Sequence, residues 1–369
     1  MTKVVHIARP ISGVGVYISL LTKYIDNESF VNVLICNTHE NIIEPKDQSE
    51  KVIKIHHANI FRKIHPLKDF ISLLNIIKIL KKENPDVIHC HSAKAGILGR
   101  IAGFYLKKKT FYTPHAYSYL SQQSKTKKAL YKLIERLISY LPAKTLACSN
   151  SEYRRAEEDL KINKEKICVW NNSIEEQIEL KQSEFTKNLP KEYICTIGRP
   201  SYQKNTELLV KSLIEVKKSI KNIHLVILGV GLYSPSLEKI KTLIKENKME
   251  ANITIVPWLD RPQTHKILKN SLFYVSTSRY EGLPYSLIEA MALNKACIVT
   301  NVDGNVDLII DKENGFVVEE CEFKIADKIH LLTSNTSLRI EMSRRAKEIF
   351  YKNYTIIKNI SKLQEIYLS

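Results

Sequence analysis

Short apolar runs alternate with amphipathic stretches along the first half of the chain, and this pattern predicts strands followed by helices. Residues 4–8 and 86–91 have the length and composition of buried strands, whereas residues 67–82 repeat apolar side chains at helical spacing. The predicted strands are 4–8, 31–36, 86–91, 110–114 and 145–148, and the predicted helices are 16–25, 67–82, 93–106 and 127–141. Such alternation is typical of a parallel sheet covered by helices.

A second series of the same kind follows a polar, irregular stretch that begins at residue 173. Its predicted strands are 193–197, 224–228, 253–256, 272–276 and 296–300, and its predicted helices are 206–219, 235–246, 263–269, 284–293 and segments from about 322 onward. We therefore predict an α/β protein with two doubly wound, Rossmann-like domains facing each other across a cleft. The domains are expected over residues 1–172 and 191–346, with a linker over 173–190 and the ligand at the carboxyl ends of the strands.

Composition narrows the class of protein. The chain has 369 residues, of which 44% are hydrophobic and 26% charged, as expected for globular domains. No apolar run approaches the roughly 18–20 residues that cross a bilayer, and the first residues do not resemble a signal peptide, so we expect a cytosolic chain. The seven cysteines form no CxxC pair, and their odd number predicts reduced thiols rather than a disulfide framework.

Positive charge is concentrated in one part of the chain. The net charge is +17, and residues 56–136 alone carry 16 basic and 4 acidic side chains, a net +12. A local basic field favours an anionic partner such as membrane lipid, a phosphate ligand or nucleic acid. Because the sequence contains no helix-turn-helix, zinc-finger or RNA-binding signature, we expect no nucleic acid partner.

The segment 278–292 contains the most informative candidate residues. Glu281 and Gly282 lie in a loop after a predicted strand, and Pro284 suits the first position of the following helix. The N-terminus of that helix is suited to bind an anion, while Glu281 and Glu289 supply two carboxylates eight residues apart. The alternative is a loop and an amphipathic helix that carries a surface glutamate.

Two further loops follow strands of the second domain. The segment 198–205 begins with Gly198 and Arg199 and contains Lys204, and both cations are suited to a diphosphate. Gly229 and Gly231 follow the next strand, where glycines allow the backbone to approach a ligand closely. The alternatives are a basic, solvated loop and a simple turn.

The first domain carries weaker signals. Gly13 and Gly15 follow the first strand, and His89 and His91 lie on one face of the strand at 86–91. Two histidines are capable of ligating a metal, but no third ligand follows at a suitable spacing, so we predict no metal site.

Together these motifs resemble the retaining glycosyltransferases of the GT-B group, of the family-4 type. The likeness covers about residues 190–320 and includes GRxSxxK, the glycine turn, EGLPxSLxEAM and the asparagine–glycine segments at 303–315. Asp307 and Ala296 depart from this pattern, since glutamate and proline are usual there. The resemblance implies a nucleotide-sugar donor held by the C-terminal domain, no other cofactor, and transfer that retains the anomeric configuration without a metal.

The resemblance also implies roles for individual residues. Arg199 and Lys204 would contact the diphosphate, Glu289 would hold the ribose hydroxyls, and Glu281 with the amides of Gly282 and Leu283 would face the donor sugar. Trp258 and Leu259 would lie near the base, Gly15 near the acceptor and the donor phosphate, and His115 would contact the transferring sugar, although a packed core histidine is the alternative for His115. The likeness further implies that a C-terminal helix over residues 347–369 returns to the first domain.

The runs at 91–100 and 113–119 resemble the subset that extends sugars on undecaprenyl diphosphate. That likeness implies a polyprenyl-diphosphate-linked acceptor in the assembly of bacterial O-antigen, capsule or another glycan. A UDP-sugar is the expected donor, with an N-acetylhexosamine such as GalNAc as the first candidate. The N-terminal domain would then bind the acceptor, and its basic residues 56–136 would dock on the cytoplasmic leaflet, unless they are only solvated helix faces.

Two rival functions remain open at this point. A nucleotide-sugar epimerase of the same two-domain architecture would interconvert two sugar nucleotides without a lipid acceptor. A non-catalytic basic protein would bind anionic lipid or another polyanion in a salt-dependent way and turn over no donor.

Overall fold

The computed structural model describes residues 1–37, 44–61, 64–231 and 234–369. Contacts divide the chain into two compact units, one of residues 1–172 with 356–369 and the other of residues 173–355. Arg62 and Lys63, which belong to the basic segment in the sequence, lie outside the described residues. Each unit is built on a sheet of parallel strands with helices in the connections, which confirms the predicted class of two Rossmann-like α/β domains.

The strands, in chain order, are β1 (Thr2–Ile7), β2 (Phe30–Cys36), β3 (Lys54–His57), β4 (Val87–His91), β5 (Lys109–Thr113), β6 (Lys144–Ala147), β7 (Ile167–Val169), β8 (Ile194–Ile197), β9 (Leu225–Val230), β10 (Ile253–Pro257), β11 (Tyr274–Ser276), β12 (Cys297–Thr300) and β13 (Gly315–Val318). The helices are α1 (Gly13–Tyr24), α2 (Pro66–Glu83), α3 (Ala93–Tyr105), α4 (Lys125–Ile138), α5 (Asn150–Arg154), α6 (Glu184–Lys187), α7 (Thr206–Ser219), α8 (Leu237–Glu246), α9 (Arg261–Asn270), α10 (Tyr285–Ala292), α11 (Asn305–Leu308), α12 (Glu322–Ser334), α13 (Thr336–Asn353) and α14 (Ile356–Leu368). Single turns of other helical types occupy Ser118–Ser121, Arg155–Asp159 and Lys164–Lys166.

Both sheets reverse their strand order beside the first strand of the unit. The first sheet has the order β3-β2-β1-β4-β5-β6-β7, and the second has the order β10-β9-β8-β11-β12-β13. The reversals therefore lie between β1 and β4 and between β8 and β11. Doubly wound folds bind ligands in the crevice outside the carboxyl ends of the strands at such a reversal.

The glycines of α3 allow this helix to lie directly on β4 and β5. A Cβ atom added to Gly99 would stand 2.1 Å from the sulfur of Cys90, and one added to Gly96 would stand 2.2 Å from the ring of Tyr112. Interiors packed at crystal-like density leave no room for these atoms. The small residues in the run 91–100 thus have a packing role in the first unit.

The C-terminal segment differs from the single helix predicted over residues 347–369. Helix α13 ends at Asn353, and the hydroxyl of the buried side chain of Tyr354 donates a hydrogen bond of 2.9 Å to the carbonyl of Asp307. Holding Tyr354 in this way breaks the helix before α14 begins. Only residues 356–369 group with the first unit, where the ring of Tyr367 packs near those of Phe30 and Phe111.

Two smaller differences concern the second unit. Residues 173–190, predicted as a linker between domains, group with this unit and include α6, which Ser183 caps by accepting from the amide of Thr186. Pro284 precedes α10 instead of occupying its first position. Its ψ of 121° is extended, so the helix begins at Tyr285.

Candidate functional site

The second unit places a buried carboxylate beside its strand reversal. Glu281 is 7% exposed, and its Oε1 atom lies 2.6 Å from the Nζ atom of Lys204. The hydroxyl of Ser278 donates to the same oxygen at 2.7 Å, and the amide nitrogen of Gln203 donates to Oε2 at 3.2 Å. Three donors therefore hold this carboxylate in one position, as a buried charge requires. The structure thus joins Lys204 and Glu281, to which the sequence assigned different parts of the donor.

Glycines shape the loops around this ion pair. Gly198 has a φ of +148°, and the side chain of Lys204 lies so close that an added Cβ would stand 3.0 Å from its Cε atom. Gly304 has a φ of +77°, and an added Cβ would stand 2.6 Å from the carbonyl oxygen of Gly282. Side chains at these two positions would displace Lys204 and the loop that carries Glu281, respectively.

The remaining predicted donor residues surround the same strand ends. Arg199 is half-buried directly after Gly198, and Gly229 has a φ of +85° at the end of β9. Trp258 is 67% exposed in the loop between β10 and α9. Five further predicted residues occupy these loops or lead into α10: Gly231, Leu259, Gly282, Leu283 and Pro284.

Glu289 contacts two side chains, Arg261 and His265, that sequence reasoning missed. The Nε and Nη2 atoms of Arg261 lie 3.1 and 3.0 Å from Glu289 Oε1, and His265 Nε2 lies 3.3 Å from the same oxygen. Burial favours a raised pKa for the Glu289 carboxyl, but the charge of Arg261 and the contacts of His265 outweigh it, and the pKa is lowered. The sequence contains a signal for this contact. Asp260 caps the N-terminus of α9, and their spacing of four residues places Arg261 and His265 on one face of that helix.

In the first unit a line of hydrogen bonds runs through buried side chains to the end of β5. Asn32 Oδ1 lies 3.1 Å from His6 Nε2, His6 Nδ1 lies 3.2 Å from His91 Nε2, and His91 Nδ1 lies 3.2 Å from Nε2 of His115. His6 was not predicted as a site residue. Its position follows from strand pairing, since His6 is the direct partner of His89 between β1 and β4.

The same pairing brings three imidazoles close enough to hold a metal ion. The ligand atoms of His6, His89 and His91 lie within 4.8 Å of one another. The sequence offered no third ligand because His6 is distant along the chain. Both nitrogens of each ring already have hydrogen-bond partners, which for His89 are Tyr367 Oη at 2.6 Å and Thr113 Oγ1 at 2.8 Å. The ring nitrogens of these three histidines are therefore occupied by hydrogen bonds. The absence of a metal site stays a prediction.

His115 lies in a strained turn that a buried glutamate holds. The φ angles of His115 and Ala116 are +53° and +73°, values that favour glycine. Glu152 Oε1 accepts a 2.8 Å hydrogen bond from the amide of Ala116, and its Oε2 accepts one of the same length from the amide of Cys148. Burial lowers the pKa of His115 to about 3, so the ring is neutral near pH 7.

Strain is also present at the ends of β1 and β4, next to the strand reversal. Ser12 has a φ of +52°, and Ser92 has a φ of +64° with a ψ of 165°. Gly15, in the first turn of α1, has the carbonyl oxygen of Pro10 only 2.7 Å from the place of a Cβ. Strained residues cluster where a backbone must adopt a special shape for a ligand, and here they mark the end of the first sheet.

The basic segment has an exposed apolar component. Two helices each expose one row of apolar side chains, comprising Leu67, Phe70, Ile71 and Leu74 on α2 and Leu130, Leu133 and Leu137 on α4. Tyr117 and Tyr119, which also belong to residues 56–136, are buried and stack on each other, so they do not contribute to this exposed surface. Among the described residues, no helix combines the length and apolar character that a bilayer crossing requires.

Comparison with known families matches nearly the whole chain in two parts. Residues 11–177 match the family described as Glycosyltransferase Family 4, and residues 177–349 match Glycosyl transferases group 1. The second match contains the Lys204–Glu281 pair, and the first contains Asn32, His91 and His115, whereas His6 precedes it.

Several curated proteins of similar sequence are named for bacterial polysaccharide synthesis. The UDP-Gal:α-D-GlcNAc-diphosphoundecaprenol α-1,3-galactosyltransferase of Escherichia coli is 27% identical over 93% of this chain and 90% of its own length. The capsular polysaccharide biosynthesis glycosyltransferase CapH of Staphylococcus aureus is 27% identical over 100% and 99%. Among solved structures, Anabaena HepE in complex with UDP and glucose superimposes with a TM-score of 0.81 at 14% identity, covering 99% of both chains. The last likeness concerns the fold alone.

Proposed function

Because this chain belongs to the group 1 glycosyltransferases and has the GT-B architecture, we propose that it moves a sugar from a UDP-sugar to a lipid-diphosphate-linked sugar. The acceptor is a hydroxyl of that sugar, the anomeric configuration is retained, and the product belongs to a bacterial surface polysaccharide. The observation that carries the donor part is the Lys204–Glu281 pair beside the N-terminus of α10. The acceptor part is supported by the lipid-diphosphate-linked GlcNAc in the name of the Escherichia coli relative.

The donor diphosphate is assigned to the cations and amides of the second unit. When the anomeric bond breaks, negative charge grows on the leaving diphosphate and must be stabilised. Lys204 supplies a point charge there and Arg199 a planar guanidinium that forms two parallel hydrogen bonds, while the N-terminus of α10 supplies the positive end of the helix dipole. Glu281 positions Lys204 and is not assigned a nucleophilic role, because its carboxylate is occupied by three donors.

The nucleoside is assigned to the loop after β10 and to α10. Glu289 accepts hydrogen bonds from the ribose hydroxyls, and Arg261 fixes the direction of its carboxylate through two contacts. The exposed indole of Trp258 offers a flat apolar surface to the base. In the first unit, His115 is assigned to the transferring sugar.

The first experiment measures release of nucleoside diphosphate from UDP-, GDP- and dTDP-sugars, with UDP-GalNAc and UDP-Gal as the first donors. Each donor is incubated with and without a polyprenyl-diphosphate-linked sugar. We expect release from one UDP-sugar that depends on the acceptor. Interconversion of two sugar nucleotides without acceptor would favour an epimerase, and the absence of donor binding would contradict a donor site altogether.

The membrane contact is assigned to the exposed apolar rows of α2 and α4 together with the lysines around them. Basic side chains attract anionic headgroups while apolar side chains enter the interface. We expect the chain to float with vesicles that contain anionic phospholipid. Replacing Leu130, Leu133 and Leu137 by serine should abolish flotation.

A matched control for flotation is available in the second unit. Phe323 on α12 is 58% exposed, so Phe323→Ser removes exposed apolar surface outside the basic segment and should leave flotation unchanged. Equal recovery of the unmodified chain with neutral and anionic vesicles would contradict this assignment.

A further inference from the structure

We propose that Asn32, His6 and His91 act as positioning residues that fix the tautomer of His115, with its proton on Nε2 and a lone pair on Nδ1. The inference rests on the proposed function, in which His115 meets the transferring sugar. The tautomer decides whether the ring of His115 presents a hydrogen-bond donor or an acceptor to that sugar. The three positioning residues are buried, and they act only through His115.

The direction of the line follows from its inner end. Asn32 presents Oδ1, which only accepts, so Nε2 of His6 must carry that ring's proton. A neutral imidazole has one N–H, so Nδ1 of His6 accepts, and the contact of 3.2 Å requires the proton on Nε2 of His91. The same step leaves Nδ1 of His91 as the acceptor for Nε2–H of His115.

The line has one consequence at its outer end. With the proton of His115 held on Nε2, its Nδ1 is an acceptor with a free lone pair. In the described part of the chain this atom has no hydrogen-bond partner, and it is not among the fully buried unpaired atoms. His115 therefore accepts a hydrogen bond from a substrate hydroxyl and offers no donor to it.

Burial keeps the rings neutral, and only neutral rings pass the direction of the hydrogen bonds from Asn32 to His115. It lowers the pKa of His6 to about 4 and that of His115 to about 3, and it lowers the pKa of His91 well below its usual value. A protonated ring in the line would donate from both nitrogens and erase the direction that Asn32 sets. If Asn32 presented its amide NH₂ instead, every bond would reverse and Nδ1 of His115 would carry the proton.

The test is a multiple-bond ¹H–¹⁵N spectrum of the donor-free chain, labelled with ¹⁵N-histidine, at pH 7.5. His115→Gln identifies the signals of His115. We expect its Nε2 to be protonated and its Nδ1 to be unprotonated. A proton on Nδ1, or an equal mixture of the two tautomers, would overturn the proposal, and so would a stoichiometric metal ion on the purified chain. This measurement does not depend on catalysis, so it stands or falls separately from the proposed function.

A pair of variants connects the tautomer to transfer. Asn32→Leu removes the acceptor that sets the direction, and we expect a tautomer mixture at His115 and a kcat about 10- to 100-fold lower with donor KM unchanged. Tyr367→Phe is the matched control, because it removes one buried hydrogen bond from His89, which lies outside the line. It should change neither the tautomer nor kcat. A changed tautomer in Asn32→Leu with normal kcat would overturn the role in transfer.

Discussion

At the scale of single residues, Lys204 has two roles that are separable by experiment. It neutralises a buried carboxylate in the folded chain, and in the proposed reaction it stabilises charge on the leaving diphosphate. Removing a partner from a buried ion pair leaves an uncompensated charge, which destabilises the fold for reasons unrelated to catalysis. A single substitution therefore mixes the two effects.

The double variant Lys204→Ala with Glu281→Gln resolves this mixture. Lys204→Ala alone should lower kcat by about 100- to 1000-fold and lower the melting temperature. Adding Glu281→Gln removes the unpaired charge, so the melting temperature should recover while turnover does not. The measurements are diphosphate release and thermal unfolding. Turnover within about threefold of the unmodified chain in Lys204→Ala would remove Lys204 from the mechanism.

Arg261 provides a second prediction at this scale. Arg261→Gln removes the two contacts that direct the Glu289 carboxylate. We expect the donor KM to rise about tenfold with little change in kcat, since ribose binding is common to the ground state and the transition state. The control is Arg344→Gln, an exposed arginine on α13 that pairs only with Glu348 among the contacts described. A fall in kcat at unchanged KM would contradict this assignment.

Only part of the site was predictable from the residues themselves. Lys204, Glu281 and Glu289 lie in short motifs, so the sequence marks them directly. His6 lies far along the chain from His91, and Glu152 lies far from Ala116, so only the folded arrangement of the strands and loops brings them together. The spacing of residues along the sequence does not show which residues of neighbouring strands face each other.

At the scale of elements, the strained turns at the ends of β1, β4 and β5 make a prediction about stability. Ser92 occupies a backbone conformation that glycine adopts without strain. Ser92→Gly should therefore stabilise the first unit by about 0.5–1 kcal/mol, after the extra flexibility of glycine in the unfolded chain is subtracted. Urea unfolding measures this change.

The control for this prediction is a serine without strain. Ser139, at the end of α4, has a φ of −69°, so Ser139→Gly should destabilise the chain slightly. Equal destabilisation by both substitutions would show that the Ser92 conformation stores no strain.

Most of the helices and strands were predictable because each has a clear period or an apolar run. Helix α7 has the predicted bounds, and β4 is buried on both faces, in agreement with the short buried strand predicted over residues 86–91. The strands β3, β7 and β13 were missed. β3 is an edge strand with the polar sequence KIHH, and β7 and β13 also lie at sheet edges and are short, so neither length nor period marks them.

At the scale of the whole molecule, the buried histidines predict sensitivity to mild acid. His6 has a pKa of about 4 in the fold because burial disfavours its charged form, against a usual value of about 6.5. Between these values the unfolded chain binds a proton that the folded chain does not. The stability due to His6 is therefore complete above about pH 6.5 and declines as the pH falls toward 4, by up to about 1.4 kcal/mol per pH unit.

The measurement uses the fluorescence of Trp170, which is buried in the first unit. The chain has two tryptophans, so Trp258→Phe leaves Trp170 as the reporter. Urea unfolding at several pH values between 7.5 and 4.5 should show a falling free energy, and His6→Gln should reduce the slope. Glu83, whose pKa is lowered to about 2 chiefly by its hydrogen bond with Lys54, affects stability only below about pH 4.5. A slope that is unchanged in His6→Gln would contradict this prediction.

The membership of α14 in the first unit has a consequence for the order of events during translation. Residues 173–355 form a unit continuous in sequence, and all of them are synthesised before Ile356. The first unit, although its first 172 residues emerge earliest, lacks Tyr367 and the carbonyl of Asn359 that accepts from the Trp170 indole until α14 has left the ribosome. The half of the chain that is synthesised first is therefore completed last. The surface that α14 covers in the first unit stays exposed while the second unit is synthesised.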